Sequence, residues 1–241
     1  MTSDVEAAHR FYAGLFGWQV EDQGEEFGHY GLATLRGKTV AGIGPLQDGN
    51  TPPAWSTYLA TSNADTTSAK VKDAGGTVMM PAMDVGETGR MAVLQDPAGA
   101  VFGVWQAKNH IGAELVNEPG APCWNELYVR DQQAADEFYR AVSGYELEKL
   151  EGPPGFDYML YKVDGKSIGG RMKMGEDFPA EMPPHWLSYF AVDDTDAAAE
   201  KIRATGGSVT IGPNDTPYGR MAICADPAGA VFAIIKMAQA D

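Results

Sequence analysis

The second half of this chain repeats the first, and that repetition limits its fold more than any other feature. The segment Asp4-Val-Glu-Ala-Ala-His-Arg-Phe11-Tyr12, closed by Gly17-Trp18, returns as Asp131-Gln-Gln-Ala-Ala-Asp-Glu-Phe138-Tyr139, closed by Gly144-Tyr145. Pro52-Pro53-Ala-Trp55-Ser-Thr-Tyr58 returns as Pro183-Pro184-His-Trp186-Leu-Ser-Tyr189, and Gly89-Arg90-Met91-Ala92 as Gly219-Arg220-Met221-Ala222. Asp96 to Phe102 returns unchanged as Asp226 to Phe232. Solenoid repeats run at roughly 20 to 50 residues, so a longer period means two homologous domains. The reading is a first domain over 1–107, a linker over 108–121 rich in Asn, Gly, Glu and Pro, and a second domain over 122–241.

Within each copy the periodicity is mixed. Val5, Ala8, Phe11, Tyr12 and Leu15 fall at helical spacing and Gly17 follows as a stop. Strands are expected over 18–21, 30–35 and 39–43, then over 55–60, followed by a helix over 65–74 that ends at Gly75-Gly76. Strands over 77–80, 90–95 and 101–106 complete the copy, the last two joined by an Asp-Pro-Ala-Gly turn. Each copy therefore reads as strand, helix, three strands, done twice. The second copy opens with a strand over 122–129, whereas the first begins at Met1, three residues before Asp4. The first domain thus lacks its opening strand, and a longer natural N-terminus is expected. An open sheet edge is an association surface, so a homodimer is a possible arrangement.

Composition narrows the function classes. The chain has 241 residues, with 18 Lys+Arg against 33 Asp+Glu for a net charge of −15, and is 44% apolar. That is enough apolar residue for a packed core, while the charge opposes binding to nucleic acid or to an anionic membrane. The acidity is spread over both halves and belongs to the general surface. No apolar run approaches the ~18 residues of a membrane span and the N-terminus has no signal-peptide pattern, so a cytoplasmic location is expected. Cys123 and Cys224 lie in apolar segments with no CxxC pattern and read as buried thiols in a reducing compartment.

The element order, with the Phe-Tyr segment closing the first helix and the Asp-Pro-Ala-Gly turn before the last strand, resembles the vicinal oxygen chelate superfamily. This group includes glyoxalase I, bleomycin-resistance proteins, fosfomycin-resistance enzymes and extradiol dioxygenases. The tandem arrangement resembles actinobacterial two-domain glyoxalase-like proteins. The resemblance implies an α+β fold of two tandem domains, each of paired βαβββ modules forming a curled sheet cup with helices outside. One such fold hosts lyases, dioxygenases, epimerases and pure binders.

Members that do chemistry usually hold a divalent metal in the cup as a Lewis acid. Carried onto this sequence, the ligand positions fall on Trp124, Leu187 and Ala233 in the second copy, and on Ser56 and Gly103 in the first. A metal site needs a converging set of lone-pair donors, which these positions do not supply. The four histidines, His9, His29, His110 and His185, show no ligand spacing and read as surface or capping residues. No metal and no other cofactor is expected.

Strand alternation sorts the remaining residues by face. With the ligand positions facing the cup, Trp124, Glu126, Tyr128, Leu187, Tyr189, Met221, Ile223, Ala233 and Ile235 line it in the second domain. Ser56, Tyr58, Met91 and Trp105 line it in the first. Leu127, Val129, Phe190, Phe232 and Ile234 then face the helices. Such an aromatic and aliphatic wall suits a small apolar or aromatic molecule, held by stacking and oriented by a few polar groups. Glu126 among aromatic residues would lose hydration, which would raise its pKa and poise it as a general base. It reads equally as a ligand hydrogen-bond acceptor or a structural partner. Arg90 and Arg220 each follow a turn glycine, which places them either at a cup rim facing an anionic ligand group or in pairs with Asp. The leading function is metal-independent binding of a small molecule, as in bleomycin-resistance proteins. The alternative is a cofactor-free lyase or isomerase acting on a secondary metabolite or reactive carbonyl, with Glu126 as base. A metal-dependent glyoxalase or dioxygenase is a third and weaker reading.

Overall fold

The computed structural model describes residues 1–46, 51–152 and 156–238. In chain order the elements are α1 (Val5–Phe16), β1 (Gln19–Asp22), β2 (Gly31–Leu35), β3 (Lys38–Ile43), β4 (Tyr58–Ala60), α2 (Ala64–Asp73), β5 (Thr77–Val85), β6 (Gly89–Gln95) and β7 (Val101–Ala107). The second repeat supplies β8 (Pro122–Val129), α3 (Gln132–Ser143), β9 (Glu146–Leu150), β10 (Tyr158–Val163), β11 (Lys166–Lys173), β12 (His185–Ala191), α4 (Thr195–Ala204), β13 (Ser208–Thr216), β14 (Gly219–Ala225) and β15 (Val231–Met237).

Each α1-type helix starts and stops for local reasons. The Asp4 carboxylate accepts from the Ala7 N–H at 2.9 Å, and Asp131 does the same for Ala134 at 3.0 Å, capping otherwise unpaired donors. Gly17 and Gly144 end these helices in the left-handed conformation, with φ 76° and 72°, at low steric cost. Between cap and stop, Ala8, Phe11, Tyr12 and Phe16 are buried on one stripe, as are Ala135, Phe138, Tyr139 and Val142 on the other helix. Strand β5 runs five residues past its expected end. It is the edge of the order β4-β7-β6-β5 and its register shifts between Met80 and Met83, so Pro81 sits at a bulge where its missing N–H is tolerated.

Two compact units result, and each takes residues from both repeats. The first comprises Met1–Trp55, Gly112–Trp124 and Ser188–Asp241, and the second Ser56–Ile111 and Asn125–Leu187. In the second unit, α2 and α3 lie between the strands β4-β7-β6-β5 and the strands β8-β11-β10-β9. Its core joins Leu59, Leu94, Phe102 and Val104 from one set of strands to Val71, Phe138 and Tyr139 from the helices. Leu127, Val129 and Tyr161 come from the other set. In the first unit, α1 and α4 lie between β1-β2-β3 and the strands β13-β14-β15-β12, around Phe11, Tyr12, Phe190, Ile202, Phe232 and Ile234.

The repeated motifs meet inside each unit. In the first, the Trp55 Nε1–H donates to the Tyr12 hydroxyl at 2.9 Å, and that hydroxyl donates to Asp226 at 3.0 Å. In the second, Trp186 donates to Tyr139 at 3.0 Å and Tyr139 to Asp96 at 3.1 Å. The other oxygen of each aspartate accepts two backbone N–H groups of its own turn, Ala228 and Ala230 or Ala98 and Ala100, all at 2.9 Å. The tyrosine of one repeat therefore serves the turn of the other.

In the first repeat, Thr2 forms an isolated parallel bridge with Pro45. Its N–H donates to Gly44 at 2.9 Å and its carbonyl accepts from Leu46 at 3.0 Å. Among the described residues, no helix is long and apolar enough to cross a membrane.

Candidate functional site

Burial confirms the sorting of strand residues into two faces. Leu127 and Val129 of β8 belong to the core against α3, as do Phe190, Phe232 and Ile234 against α1 and α4. The alternate residues therefore lie on the faces turned away from the helices.

In the second unit this away-facing surface carries Glu126, Tyr128 and Leu187, all buried, from the expected set. Register adds residues that the sequence reading left out. Glu126 is opposite Gly170, which is opposite Leu160. Tyr128 is opposite Met172, which is opposite Tyr158. The Tyr158 hydroxyl stands over Gly170, where a methyl group added to that glycine would collide with it. The Tyr158 ring stacks on Phe156 at 5.9 Å and 4°. The Tyr128 ring stacks on His185 at 5.2 Å and 6°, and packs against Phe178 at 5.7 Å. The His185 Nδ1–H donates to the Pro183 carbonyl at 2.9 Å, so in the neutral ring Nε2 is left as an acceptor. His185 is thus a member of this aromatic surface, where spacing alone had suggested a surface or capping residue. Tyr158 was legible only through strand pairing, because it sits in a segment without a motif of its own, and His185, though inside the repeated Pro-Pro-x-Trp segment, joins the surface through a tertiary ring contact with Tyr128.

The first repeat presents a different surface in the same unit. Tyr58 is opposite Gly103, Val93 is opposite Gly103, and Met91 is opposite Trp105. The Tyr58 ring lies over Gly103 and the Trp105 indole lies over Gly89, so each aromatic side chain occupies the space above a residue with no side chain. Trp105 is fixed further by its Nε1–H, which donates to the His110 carbonyl at 2.8 Å. Met91 is half-buried beside them, and Ser56 is exposed before β4 begins.

In the first unit, Tyr189 is opposite Ala233 and Ala233 is opposite Ile223, while Met221 is opposite Ile235. These five form an apolar row with one phenol. Trp124 is half-buried in the same unit. The Cys123 Sγ–H donates to the Tyr189 carbonyl at 3.5 Å, and burial pushes its pKa up to about 12.

Arg220 does not join that row. It alternates with Met221 and so points to the helix side, where Nε and Nη2 bind Asp196 of α4 at 2.5 and 2.8 Å and Nη1 binds Asp215 at 3.1 Å. Arg90 repeats this arrangement with Asp65 and Asp84. Both arginines are consumed by aspartate pairing, which replaces the rim role in anion binding considered from sequence. Hydrogen bonds from the arginines hold Asp65 and Asp196 below the ordinary carboxylate pKa. A charged cluster that the sequence reading missed is Arg171, fully buried on the helix side of β11. It binds Asp136 at 3.2 and 2.8 Å and Asp157 at 2.7 Å.

A metal ion needs a converging donor set, and the residues present do not fit one. Among the described residues, no three His, Cys, Asp or Glu side chains are grouped to hold an ion. Ala233, at one of the positions where a ligand would be expected, lies in an apolar row between Tyr189 and Ile223.

Comparison with known proteins agrees with this fold. The family model for the Glyoxalase/Bleomycin resistance protein/Dioxygenase superfamily matches residues 1–104 and 110–234. A protein named "Putative glyoxylase CFP32" from Mycobacterium tuberculosis is 44% identical over 98% of this chain and 92% of its own. "Anthracycline biosynthesis protein DauV" from Streptomyces sp. strain C5 is 37% identical over 98% of this chain and 90% of its own. Among solved structures, the Mn(II)-bound glyoxalase from Novosphingobium aromaticivorans has a TM-score of 0.66 at 18% identity, covering 98% of this chain and 79% of that one. The 2,3-dioxygenase LapB from Pseudomonas sp. KL28 has a TM-score of 0.64 at 17% identity, covering 99% and 90%. With two tandem matched segments and relatives aligned over nearly its full length, the chain belongs to the Glyoxalase/Bleomycin resistance protein/Dioxygenase superfamily.

Proposed function

We propose that the chain binds a small, flat, apolar or aromatic molecule without a metal, on the sheet surface built by the second repeat. The observation that carries this reading is the wall of Tyr128, Tyr158, Phe156 and His185 in the second unit; the positions to which the resemblance carries metal ligands hold Trp124, Leu187 and Ala233, which offer no such donor. Stacking on aromatic side chains suits a ring system, and a few polar groups fix its orientation. Relatives named for anthracycline biosynthesis favour a polycyclic aromatic ligand over a small aldehyde. The first repeat is the weaker candidate for ligand, because Tyr58 and Trp105 already cover the glycines beneath them.

A second reading rests on Glu126, which is 6% exposed among these rings. There it would serve as general base, taking an acidic proton from the bound molecule while a tyrosine hydroxyl donates to the oxygen that gains charge. This makes the protein a cofactor-free lyase or isomerase.

Two measurements test these readings, the first their shared metal independence and the second the base role. Elemental analysis of purified protein is expected to find no stoichiometric divalent metal, and a metal whose removal by EDTA abolishes ligand binding overturns metal independence. Replacement of Glu126 by Gln is expected to keep ring binding. If the chain catalyses, that variant loses turnover, and unchanged turnover removes the base role.

A further inference from the structure

We infer that His185 makes this surface selective for aromatic molecules that carry a hydroxyl group, its Nε2 accepting a hydrogen bond from that hydroxyl. This inference rests on the binding reading above. Two contacts fix the imidazole. Its ring lies parallel to that of Tyr128, at 5.2 Å and 6°, and its Nδ1 is 2.9 Å from the Pro183 carbonyl oxygen. A carbonyl oxygen only accepts, so Nδ1 carries the proton, and in the neutral ring Nε2 keeps a lone pair and no hydrogen. Among the described residues no donor reaches Nε2. His185 is half-buried against the Tyr128 ring, which joins an acceptor to an apolar stacking surface. A ring with a hydroxyl satisfies that acceptor, whereas one with only ether or carbonyl oxygens meets it lone pair to lone pair.

The local chain holds this arrangement. Pro183 precedes another proline, which restricts its backbone to extended conformations and steadies the carbonyl that Nδ1 needs. Phe178 packs against the same Tyr128 ring at 5.7 Å, and its loop is tied down by Arg130, whose Nη2 donates to the Pro179 carbonyl at 2.6 Å. Tyr128, at 7% exposure, is thus a fixed platform for the imidazole. The two repeats differ at this residue. Pro52-Pro53-Ala54-Trp55 has alanine where Pro183-Pro184-His185-Trp186 has histidine, so the acceptor belongs to the second copy.

The experiment is equilibrium dialysis of the full chain against 2-naphthol and 2-methoxynaphthalene at about pH 8, below the range in which phenols ionise. The expected result is a preference of about fivefold for 2-naphthol, the worth of one net hydrogen bond. His185→Phe keeps a flat ring beside Tyr128 and removes the acceptor. It should reduce the preference to within about twofold while changing the Kd of 2-methoxynaphthalene by less than about threefold. Nitrogen-15 NMR of histidine-labelled chain reads the tautomer directly. For the signals missing from His185→Phe, the proton is expected on Nδ1, and 2-naphthol but not 2-methoxynaphthalene should shift the Nε2 resonance. If His185→Phe does not fold, His185→Ala, the residue of the first repeat, takes its place. Equal binding of both probes by the unaltered chain, a preference that survives the loss of His185, or a proton on Nε2 overturns the role of His185 and leaves the binding reading standing. Failure of the unaltered chain to bind either probe overturns the binding reading itself, and the role of His185 with it.

Discussion

The hydroxyl of Tyr12 donates to the carboxylate of Asp226 at 3.0 Å, joining residues 214 positions apart. Asp226 also accepts the Ala228 and Ala230 N–H groups, so its removal leaves three buried or half-buried donors without an acceptor. Each such loss costs ~1–3 kcal/mol. Asp226→Ala is expected to destabilise by about 3 kcal/mol or more, and Tyr12→Phe by about 1–2 kcal/mol. Urea unfolding curves check both, and equal midpoints for Asp226→Ala and the unaltered chain would contradict the assignment.

Arg171 is 1% exposed and is held by two aspartates. Removing one partner of a buried pair leaves an uncompensated charge, at ~3–5 kcal/mol. Arg171→Ala and Asp136→Ala should therefore both fall in that range, while Arg171→Met with Asp136→Leu should recover most of the loss. A double-variant chain no more stable than either single variant would sink this account.

The Asp157 carboxyl is held below the usual carboxylate pKa by its hydrogen bond and charge pairing with Arg171. Its folded value lies below its unfolded value, so its stabilisation is fully present above about pH 4 and is lost as pH falls through the folded value. Asp157→Asn should lower stability at pH 7, with the difference from the unaltered chain shrinking in acid. Unfolding measured between pH 2.5 and 7, on the order of one series per half unit, tests the sign. A gap that widens in acid contradicts it.

Burial pushes both the Cys123 and the Cys224 thiols up to about 12. The thiolate is the reactive species, so both cysteines should resist alkylation by iodoacetamide at about pH 8 in the folded chain and react at once in denaturant. Mass spectrometry of the intact protein gives the count, and rapid labelling of either cysteine without denaturant is the contrary result.

Much of this architecture is legible from the chain itself. Asp4 and Asp131, Gly17 and Gly144, and the buried stripes between them mark the helices through local chemistry that any reader of the sequence can apply. Residue parity sorted Leu127, Phe190, Phe232 and Ile234 correctly because strand alternation is geometric. For Arg220 the turn argument left a rim place and aspartate pairing both open, and the structure has the pairing, which its neighbour Met221 already implied by facing the other way. Tyr158, His185 and Arg171 were not legible as site or core residues because their significance depends on pairing between strands and on tertiary partners. Strand β5 was cut short because Pro81 reads as a terminator until its edge position and bulge are known.

The exchange of tyrosines between the repeats has a consequence for how such a chain can change. Tyr12 completes a turn encoded in the second repeat, and Tyr139 completes one encoded in the first. Neither copy carries all that it needs to bury its own aspartate, so a copy deleted by recombination would leave the survivor with an orphaned turn and an orphaned phenol. The duplication is held in place by mutual dependence, and the two copies remain free to diverge only on the surfaces that face away from their shared helices.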